Sequence, residues 1–411
     1  MPKPLPFPEI LTRVARSVGT PTYVYFERTI RKQIERLHGA LEMVPHRLLY
    51  AMKANGHPQI LRQIQTAGVG IDAVSPGELL LALRMGFRPE DVLFSANNMT
   101  TGEMHFAHRQ KVLLNIGELS RLEAYGKAYP GADVCIRLNP QVGAGHHEHV
   151  ITAGADSKFG IPVEFMPEII SVLEQHGLRL RGLHQHIGSG IPDPATLWDA
   201  VSVLLKQAAE FPDLEFVNLG GGLGVPYRPD ESPLDLGDFA SRFGDTLAAF
   251  SRTHDTEVWF EPGRFFVAEA GVLLATATTI KDNGDRCFVG VDSGMNHLVR
   301  PTMYGSYHEI LNLTNPDGAL RPYDVVGNIC ETGDRFAKNR EVAEIREGDW
   351  LAILDTGAYG MSMASHYNLR ALPAEVWVPE DNPAQFRVIS ERQSPAQLVG
   401  RIMREAVMPS A

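Results

Sequence analysis

The sequence predicts an α/β protein, namely a (β/α)8 barrel of the TIM type followed by a β-rich domain. Up to about Ala270, eight short apolar segments typical of buried strands alternate with helix-patterned segments. After that point strand-like segments follow one another with few helices between them. A doubly wound open sheet is the alternative for the first part, although it usually contains fewer strands.

The predicted elements set the domain bounds. The eight barrel strands are expected at 46–53, 69–72, 92–95, 112–116, 134–138, 180–186, 215–219 and 257–261. Helices are expected at 28–41, 77–85, 118–128, 164–176, 195–210 and 237–251, and late in the chain at 395–404. Further strands are expected at 22–25, 271–280, 287–291, 350–355, 375–378 and 386–389. We therefore predict a barrel domain over 29–269 and a β-rich domain built from 1–28 and 270–411.

Composition limits the classes of function. The 411 residues are 44% hydrophobic and 21% charged, which is typical of a globular protein with a sizeable core. A formal net charge of −11 argues against partners such as nucleic acid or an anionic membrane surface. Three cysteines are too few for a disulfide framework and suit a reducing compartment. With no signal-like or membrane-spanning segment, we expect a cytoplasmic protein.

Polar residues concentrate where the predicted strands end. The first strand ends in Lys53, the sixth in His184 and His186, and the eighth in Glu261, while the glycine run 220–222 follows the seventh. In a (β/α)8 barrel the carboxyl ends of the strands meet at one face, where the chemistry takes place, and phosphate often binds after strands seven and eight. We therefore expect these residues to form one site.

An amine, a carboxylate, a histidine and a glycine-rich loop together suit pyridoxal 5'-phosphate. Lys53 would form a Schiff base with the cofactor's aldehyde. Glycine lets backbone N–H groups approach a phosphate closely, and Ser189 would help to hold it. Glu261 would pair with the pyridine nitrogen and keep it protonated, which favours carbanion chemistry at the substrate's α-carbon. His186 would cover one face of the ring.

A zinc hydrolase is the alternative that His184 and His186 suggest. Residues two apart on a strand share a face, and a His-x-His pair at the end of a barrel strand can bind zinc. Asp72 and Glu261 are the only further ligands found at strand ends, and no strong third histidine accompanies them. We therefore predict no metal site and expect His184 to be structural.

Six segments resemble motifs of the fold type III pyridoxal-phosphate decarboxylases, in order along the chain. They are 50–55 (YAMKAN), 186–189 (HIGS), 220–222 (GGG), 261–264 (EPGR), 330–334 (CETGD) and 355–360 (DTGAYG). The resemblance implies a barrel plus a β-rich domain, as in alanine racemase and ornithine decarboxylase. It also implies a homodimer whose active sites are shared between subunits.

The resemblance also implies roles for individual residues. The cofactor-contacting positions would be Lys53, His186, Ser189, Gly221, Gly222, Glu261, Gly263, Arg264 and Tyr359. Cys330 matches the motif that reaches the site from the partner subunit, where its thiol would return a proton to the α-carbon after carbon dioxide leaves. An unperturbed cysteine thiol, with a pKa of ~8.5, is a plausible acid for this step.

The substrate would be set by the residues that bind its far end. Arg264, Arg300 and Tyr304 resemble the family's contacts to a substrate carboxylate, Glu331 would take a distal ammonium, and Tyr359 would also contact the substrate. Arginines bind carboxylates in a fork geometry. We therefore expect meso-2,6-diaminopimelate as the substrate, with L-lysine and carbon dioxide as products, in lysine biosynthesis.

Three other functions compete with this one. A related decarboxylase could act on ornithine, arginine, lysine or a carrier-linked amino acid, since the segment 95–100 and Phe265 depart from the commoner family pattern. A racemase could use the same barrel, although the Cys330–Glu331 motif belongs to decarboxylases. An inactive regulator is disfavoured because Lys53, Glu261, Cys330 and Tyr359 are all present.

Overall fold

The structure is a computed structural model that describes residues 3, 6–141, 157–186, 188 and 194–405. The chain divides into two compact units. The first, the barrel unit, contains Arg31–Val225 and Pro233–Phe265, and the second, the sheet unit, contains Met1–Ile30, Pro226–Ser232 and Phe266–Ala411. The three cysteines are free thiols.

No helix in the described ranges is long and apolar enough to cross a membrane.

The strands of the described residues are, in chain order, β1 (Thr22–Phe26), β2 (His46–Ala51), β3 (Gly70–Ala73), β4 (Val92–Phe94), β5 (Leu113–Ile116), β6 (Asp133–Asn139), β7 (Ile161–Pro162), β8 (Arg179–His184), β9 (Phe216–Asn218), β10 (Glu257–Phe260), β11 (Gly271–Asp282), β12 (Cys287–Val291), β13 (Ile310–Asn312), β14 (Leu320–Val326), β15 (Arg335–Ala343), β16 (Trp350–Ile353), β17 (Ala374–Val378) and β18 (Arg387–Ser390). The α-helices are α1 (Pro8–Val18), α2 (Glu27–Ala40), α3 (Pro58–Thr66), α4 (Pro76–Arg84), α5 (Thr101–Arg109), α6 (Leu119–Ala128), α7 (Met166–His176), α8 (Pro194–Ala208), α9 (Leu236–His254), α10 (Arg264–Val267), α11 (Arg300–Tyr304) and α12 (Pro395–Glu405).

The barrel unit confirms the predicted (β/α)8 fold. Eight parallel strands pair in the order β2, β3, β4, β5, β6, β8, β9 and β10, and β10 pairs with β2 to close the ring. Because helices cover such strands on the outside, the strands read as short, nearly continuous apolar runs. Phe216 and Trp259 stack in the hydrophobic core of the barrel unit, with their ring centroids 3.7 Å apart. A side chain at Gly182 would collide with the Phe216 ring, so this strand position must stay bare.

The sheet unit contains a mixed sheet in the order β15, β14, β12, β11, β1, β17 and β18, with β16 pairing with β11 and β13. β11 and β12, which correspond to the strands expected at 271–280 and 287–291, pair antiparallel with Asp282 opposite Cys287. The N-terminal strand β1 lies inside this sheet, antiparallel to β11 and parallel to β17. One face of these strands packs with α1 into an apolar core around Leu11, Val24 and Leu274.

Candidate active site

Lys53 follows the first barrel strand. β2 ends at Ala51, so Lys53 lies in a single 3-10 turn, Met52–Ala54, rather than in the strand itself as the sequence predicts. Its Nζ lies 3.5 Å from Oδ2 of Asp72, which is on the neighbouring strand β3 and is almost fully buried. Burial raises the pKa of Asp72, and the charge of Glu261 adds to this, while Lys53 and His184 oppose it. The lysine amine is thus anchored at the carboxyl end of the barrel.

Strand register brings the next polar residues side by side. Arg137 of β6 is paired with His184 of β8, and His184 is paired with Asn218 of β9. Asn218 is in turn paired with Trp259 of β10, two residues before Glu261. Side chains two residues apart in a strand share a face. We therefore expect Glu261, two residues after Trp259, to lie on the same face as Asn218.

Glu261 is held by two of these neighbours. The Nε2 atom of His184 donates to Oε2 at 3.1 Å, and Nδ2 of Asn218 donates to Oε1 at 2.8 Å. Burial alone would raise the pKa of Glu261, but the charge and hydrogen bond of His184, with the charge of Lys53, outweigh burial and lower the pKa to about 2. The carboxylate is therefore ionised at neutral pH and fixed in direction. Each carboxylate oxygen can still accept a further hydrogen bond.

The glycine run forms a bare backbone loop beside His186. Gly220 and Gly222 have φ values of 71° and 103°, which favour glycine. A side chain at Gly221 would place its Cβ 2.5 Å from the Glu261 carbonyl oxygen. The N–H of Gly221 donates to Nδ1 of His186 at 3.0 Å. Burial, together with the charges of Lys53 and Arg137, lowers the pKa of His186 well below its usual value, so the ring is neutral and can accept this bond.

The segment after β10 closes the same face. The N–H of Ala51 donates to the carbonyl oxygen of Pro262 at 3.2 Å. A Cβ at Gly263 would lie 3.0 Å from that of Ala51, so glycine allows the segment to pack on the end of β2. Arg264 is buried and begins α10. These contacts tie the strand that precedes Lys53 to the segment that contains Glu261.

These residues fit pyridoxal 5'-phosphate. An amine, an ionised carboxylate and a neutral imidazole lie on one end of the barrel beside a loop in which side chains would collide with the backbone. Within the described residues, Oδ1 of Asp72 and Nδ1 of His184 are buried without a hydrogen-bond partner. These two atoms can therefore form hydrogen bonds to a molecule bound at this end of the barrel. Ser189, predicted to hold the phosphate, lies outside the described residues.

The sheet unit contains the other predicted residues, beginning with Arg300. This arginine begins α11 and is 2% exposed. Its Nη1 donates to Nε2 of His308 at 3.0 Å, because Nδ1 of that ring donates to the carbonyl oxygen of Leu354 at 2.8 Å. The ring of Tyr227 lies 4.5 Å from the guanidinium carbon. Tyr304 ends the same short helix, about one turn further on.

The two remaining motifs are loops of the sheet unit. Cys330 and Glu331 are exposed, in the connection between β14 and β15. In the 355–360 motif, Asp355 is buried and accepts a hydrogen bond from Nζ of Lys3 at 2.6 Å. Burial raises the pKa of Asp355 to about 6 against the opposing charge of Lys3. Tyr359 has a left-handed backbone, with a φ of 57°.

The described geometry does not favour the zinc alternative. β8 ends at His184, and the two histidines have different partners, namely Glu261 for His184 and Gly221 for His186. Among the described residues no group of three or more His, Cys, Asp or Glu side chains could hold a metal ion.

Three residues of these networks, Arg137, Asn218 and His308, are missed by sequence reasoning. Asn218 lies two residues before the glycine run, a position typical of a turn, and this hides its contact with Glu261.

A family model described as pyridoxal-dependent decarboxylase, pyridoxal binding domain, matches residues 27–268. Together with the barrel and its lysine, this defines the class as a pyridoxal-phosphate-dependent decarboxylase, and pyridoxal 5'-phosphate is its cofactor.

Similar proteins identify the family within this class. The chain is 43% identical to the diaminopimelate decarboxylase of Methanothermobacter thermautotrophicus over 399 residues, covering 94% of this chain and 92% of the relative. It is 36% identical to that of Escherichia coli K12, covering 95% and 96%. The chain therefore belongs to the diaminopimelate decarboxylase family.

Solved structures agree with this placement. A crystal structure of a diaminopimelate decarboxylase superposes with a TM-score of 0.88 at 35% identity, covering 97% of each chain. The diaminopimelate decarboxylase of Helicobacter pylori complexed with L-lysine superposes with a TM-score of 0.88 at 30% identity, covering 96% of this chain and 100% of that one.

Proposed function

We propose that this protein decarboxylates meso-2,6-diaminopimelate to L-lysine and carbon dioxide with pyridoxal 5'-phosphate as cofactor. The observation that carries the proposal is the 43% identity to a diaminopimelate decarboxylase over 94% of the chain. The Helicobacter pylori relative, crystallised with L-lysine, supports a lysine-like product. The substrate is thus a small amino acid with charged groups at both ends.

In the barrel unit, each polar group has a proposed task. Lys53 would hold the aldehyde carbon of the cofactor, Glu261 its pyridine nitrogen and His186 one face of its ring. The bound cofactor supplies the electron sink for the bonding pair that carbon dioxide leaves behind. The remaining cofactor contacts would come from Ser189, Gly221, Gly222, Gly263, Arg264 and Tyr359.

The low pKa of Glu261 supports its task. Because the carboxylate is ionised and already oriented by His184 and Asn218, it would keep a pyridine nitrogen protonated without reorganising. A neutral His186 would stack on the ring without adding a second positive charge beside it. The two histidines therefore have separate roles in the proposal.

The predicted substrate-binding residues and Cys330 would bind the substrate and return the proton. Arg300, Tyr304 and Arg264 would bind the distal carboxylate, Glu331 the distal ammonium, and Tyr359 would contact the substrate. Cys330 would donate a proton to the α-carbon after decarboxylation. Its exposure suits a group that acts on a substrate rather than a core thiol.

The proposal extends to assembly and location. Residues 29–269 would form the cofactor-binding barrel, and 1–28 with 270–411 would contribute to the active site and to the dimer interface. Two copies of the chain would form a homodimer with shared active sites, each Cys330 serving the partner's barrel. The protein would work in the cytoplasm, where the free cysteines are stable as thiols.

The test is release of carbon dioxide from meso-diaminopimelate by protein loaded with pyridoxal 5'-phosphate, with the amino-acid product identified. We expect yellow protein and L-lysine as the product. L-ornithine, L-arginine and L-lysine serve as comparison substrates under the same conditions. Faster release from any of these three would refute the substrate assignment, and colourless, inactive protein after loading would refute the cofactor assignment.

A further inference from the structure

The loop 327–334 that contains Cys330 is tied to its own unit from two directions. Asp334 holds the inner side: its Oδ2 accepts from the N–H of Ile329 at 2.7 Å, and its Oδ1 accepts from the N–H of Met295 at 2.6 Å. Ile329 is buried, whereas Cys330 is exposed. The Asp334 side chain therefore binds the loop at the residue before the thiol.

Asn368 holds the outer side of the same loop. Its Oδ1 accepts from the N–H of Cys330 at 2.7 Å. Two residues later, Nη2 of Arg370 donates to the carbonyl oxygen of Asn328 at 2.9 Å. The segment that carries both is itself anchored, because the N–H of Ser365 donates to the carbonyl oxygen of Asn296 at 2.8 Å. The backbone of Cys330 is thus bound directly by one side chain.

The backbone at Asn368 is adapted to this contact. Its φ is 56°, in the left-handed region that most residues avoid and that asparagine tolerates well. Glycine would accept this φ but has no side-chain acceptor, and alanine would lose both. Aspartate would keep both properties. The residue type at 368 therefore satisfies a conformational requirement and a hydrogen-bonding requirement at the same time.

We infer that Asn368 is the positioning residue for Cys330, holding its backbone so that the thiol can deliver a proton to the substrate's α-carbon. This rests on the proposed function, in which Cys330 is the acid. Proton transfer requires the donor within hydrogen-bond reach of its target, and a misplacement of about 1 Å can cost on the order of 100-fold in rate. Asn368 itself touches neither cofactor nor substrate in this proposal.

The kinetic test uses three variants that separate the two requirements. Asn368→Gly allows the left-handed backbone conformation but has no side-chain acceptor. Asn368→Ala has no acceptor and also disfavours that conformation, whereas Asn368→Asp keeps the acceptor and tolerates the conformation. We expect kcat to fall by about tenfold or more in the glycine and alanine variants, with cofactor absorbance unchanged. The aspartate variant should stay within about threefold of wild type, and Cys330→Ala sets the lower limit.

Amide hydrogen exchange gives a second measurement that does not depend on turnover. In the cofactor-loaded protein, the Cys330 amide should exchange about tenfold faster or more in Asn368→Gly, because its acceptor is gone. The amide of Ile329, bound by Asp334, should keep its rate. Asn339→Ala is the matched control. Asn339 also has a left-handed backbone, with a φ of 47°, but the side chain that accepts from the Cys330 N–H is that of Asn368.

Different outcomes overturn different claims. Wild-type kcat in Asn368→Gly, or an unchanged exchange rate at Cys330, refutes the positioning role. A defect in Asn368→Ala alone, with Asn368→Gly normal, would show that residue 368 matters only for backbone conformation. Wild-type protein that decarboxylates none of the four amino acids would refute the proposed function and this inference together.

Discussion

Asn218 joins Glu261 to the glycine loop. Its Nδ2 donates to Oε1 of Glu261 at 2.8 Å, and its Oδ1 accepts from the N–H of Gly220 at 2.9 Å. The residue is fully buried. One side chain therefore fixes both the carboxylate proposed to meet the pyridine nitrogen and the loop proposed to meet the phosphate.

Asn218→Ala should weaken the binding of pyridoxal 5'-phosphate to the apoprotein by about 10- to 100-fold. The substitution removes a hydrogen bond to a charged group, which is worth about 1.5–3 kcal/mol, and leaves Oε1 of Glu261 without that donor. Titration of the apoprotein, followed by absorbance, measures the Kd. Asn115→Ala is the control, because Asn115 is also buried near a barrel strand end but donates to Ser95. Equal losses in both variants would contradict a specific role for Asn218.

Lys53→Ala should abolish both turnover and the visible absorbance of the covalently held cofactor. No other group at this end of the barrel is proposed to bind the aldehyde. Absorbance after loading and removal of free cofactor measures the first effect, and carbon dioxide release measures the second. Lys127→Ala, at an exposed position on α6, should behave like wild type. A Lys53→Ala variant with full turnover would eliminate the cofactor assignment.

Arg300→Gln should raise the KM for meso-diaminopimelate by about 10- to 100-fold, with a smaller effect on kcat. The expected size is that of losing a charge-assisted hydrogen bond to the substrate carboxylate. Arg300→Lys keeps the positive charge but not the fork geometry of the guanidinium, so its KM should lie between those of wild type and Arg300→Gln. Since Arg300 is buried, circular dichroism and the Tm of each variant establish that it folds. A KM equal to that of Arg321→Gln, an exposed control, would show that Arg300 does not bind the substrate.

Asp355→Asn should stabilise the protein above pH 6 and have little effect near pH 4. The folded-state pKa of Asp355 is about 6 against a reference value of 3.8, so the folded state binds the proton more tightly. The contribution of Asp355 to wild-type stability therefore falls as pH rises from about 4 to 6, and the loss corresponds to about 3 kcal/mol above pH 6. The amide carries no charge and avoids this loss.

Tm measurements from pH 4 to 8 test this prediction, with Asp285→Asn in an exposed turn as the control. A Tm difference between Asp355→Asn and wild type that does not change with pH would contradict it.

The barrel could be predicted because its buried strands are short apolar runs separated by helices, and their bounds agree with the structure to within a few residues. Other elements gave weaker signals. α5 is polar, although Thr100 and Glu103 form a capping box that indicates its start. β15 was not predicted because Lys338 and Asn339 interrupt it with exposed polar side chains.

The site was predictable where a polar residue interrupts an apolar strand end, as at Lys53 and Glu261. Contacts between distant residues were not predictable, because they depend on strand register. Asn218 and Glu261 are 43 positions apart and meet only through the pairing of β9 with β10. His308 binds Arg300 through a ring whose tautomer is set by the carbonyl of Leu354, which no local pattern reveals.

The position of β1 has a consequence for synthesis on the ribosome. All five of its residues are buried, and its parallel partner β17 is made about 350 residues later. At about 5–20 residues per second, translation leaves this apolar segment without that partner for on the order of tens of seconds. The barrel can be completed in that interval, whereas the mixed sheet cannot. During that time Thr22–Phe26 lacks one of the strands that bury it in the folded protein. We therefore expect chaperones to bind the nascent chain mainly at this segment.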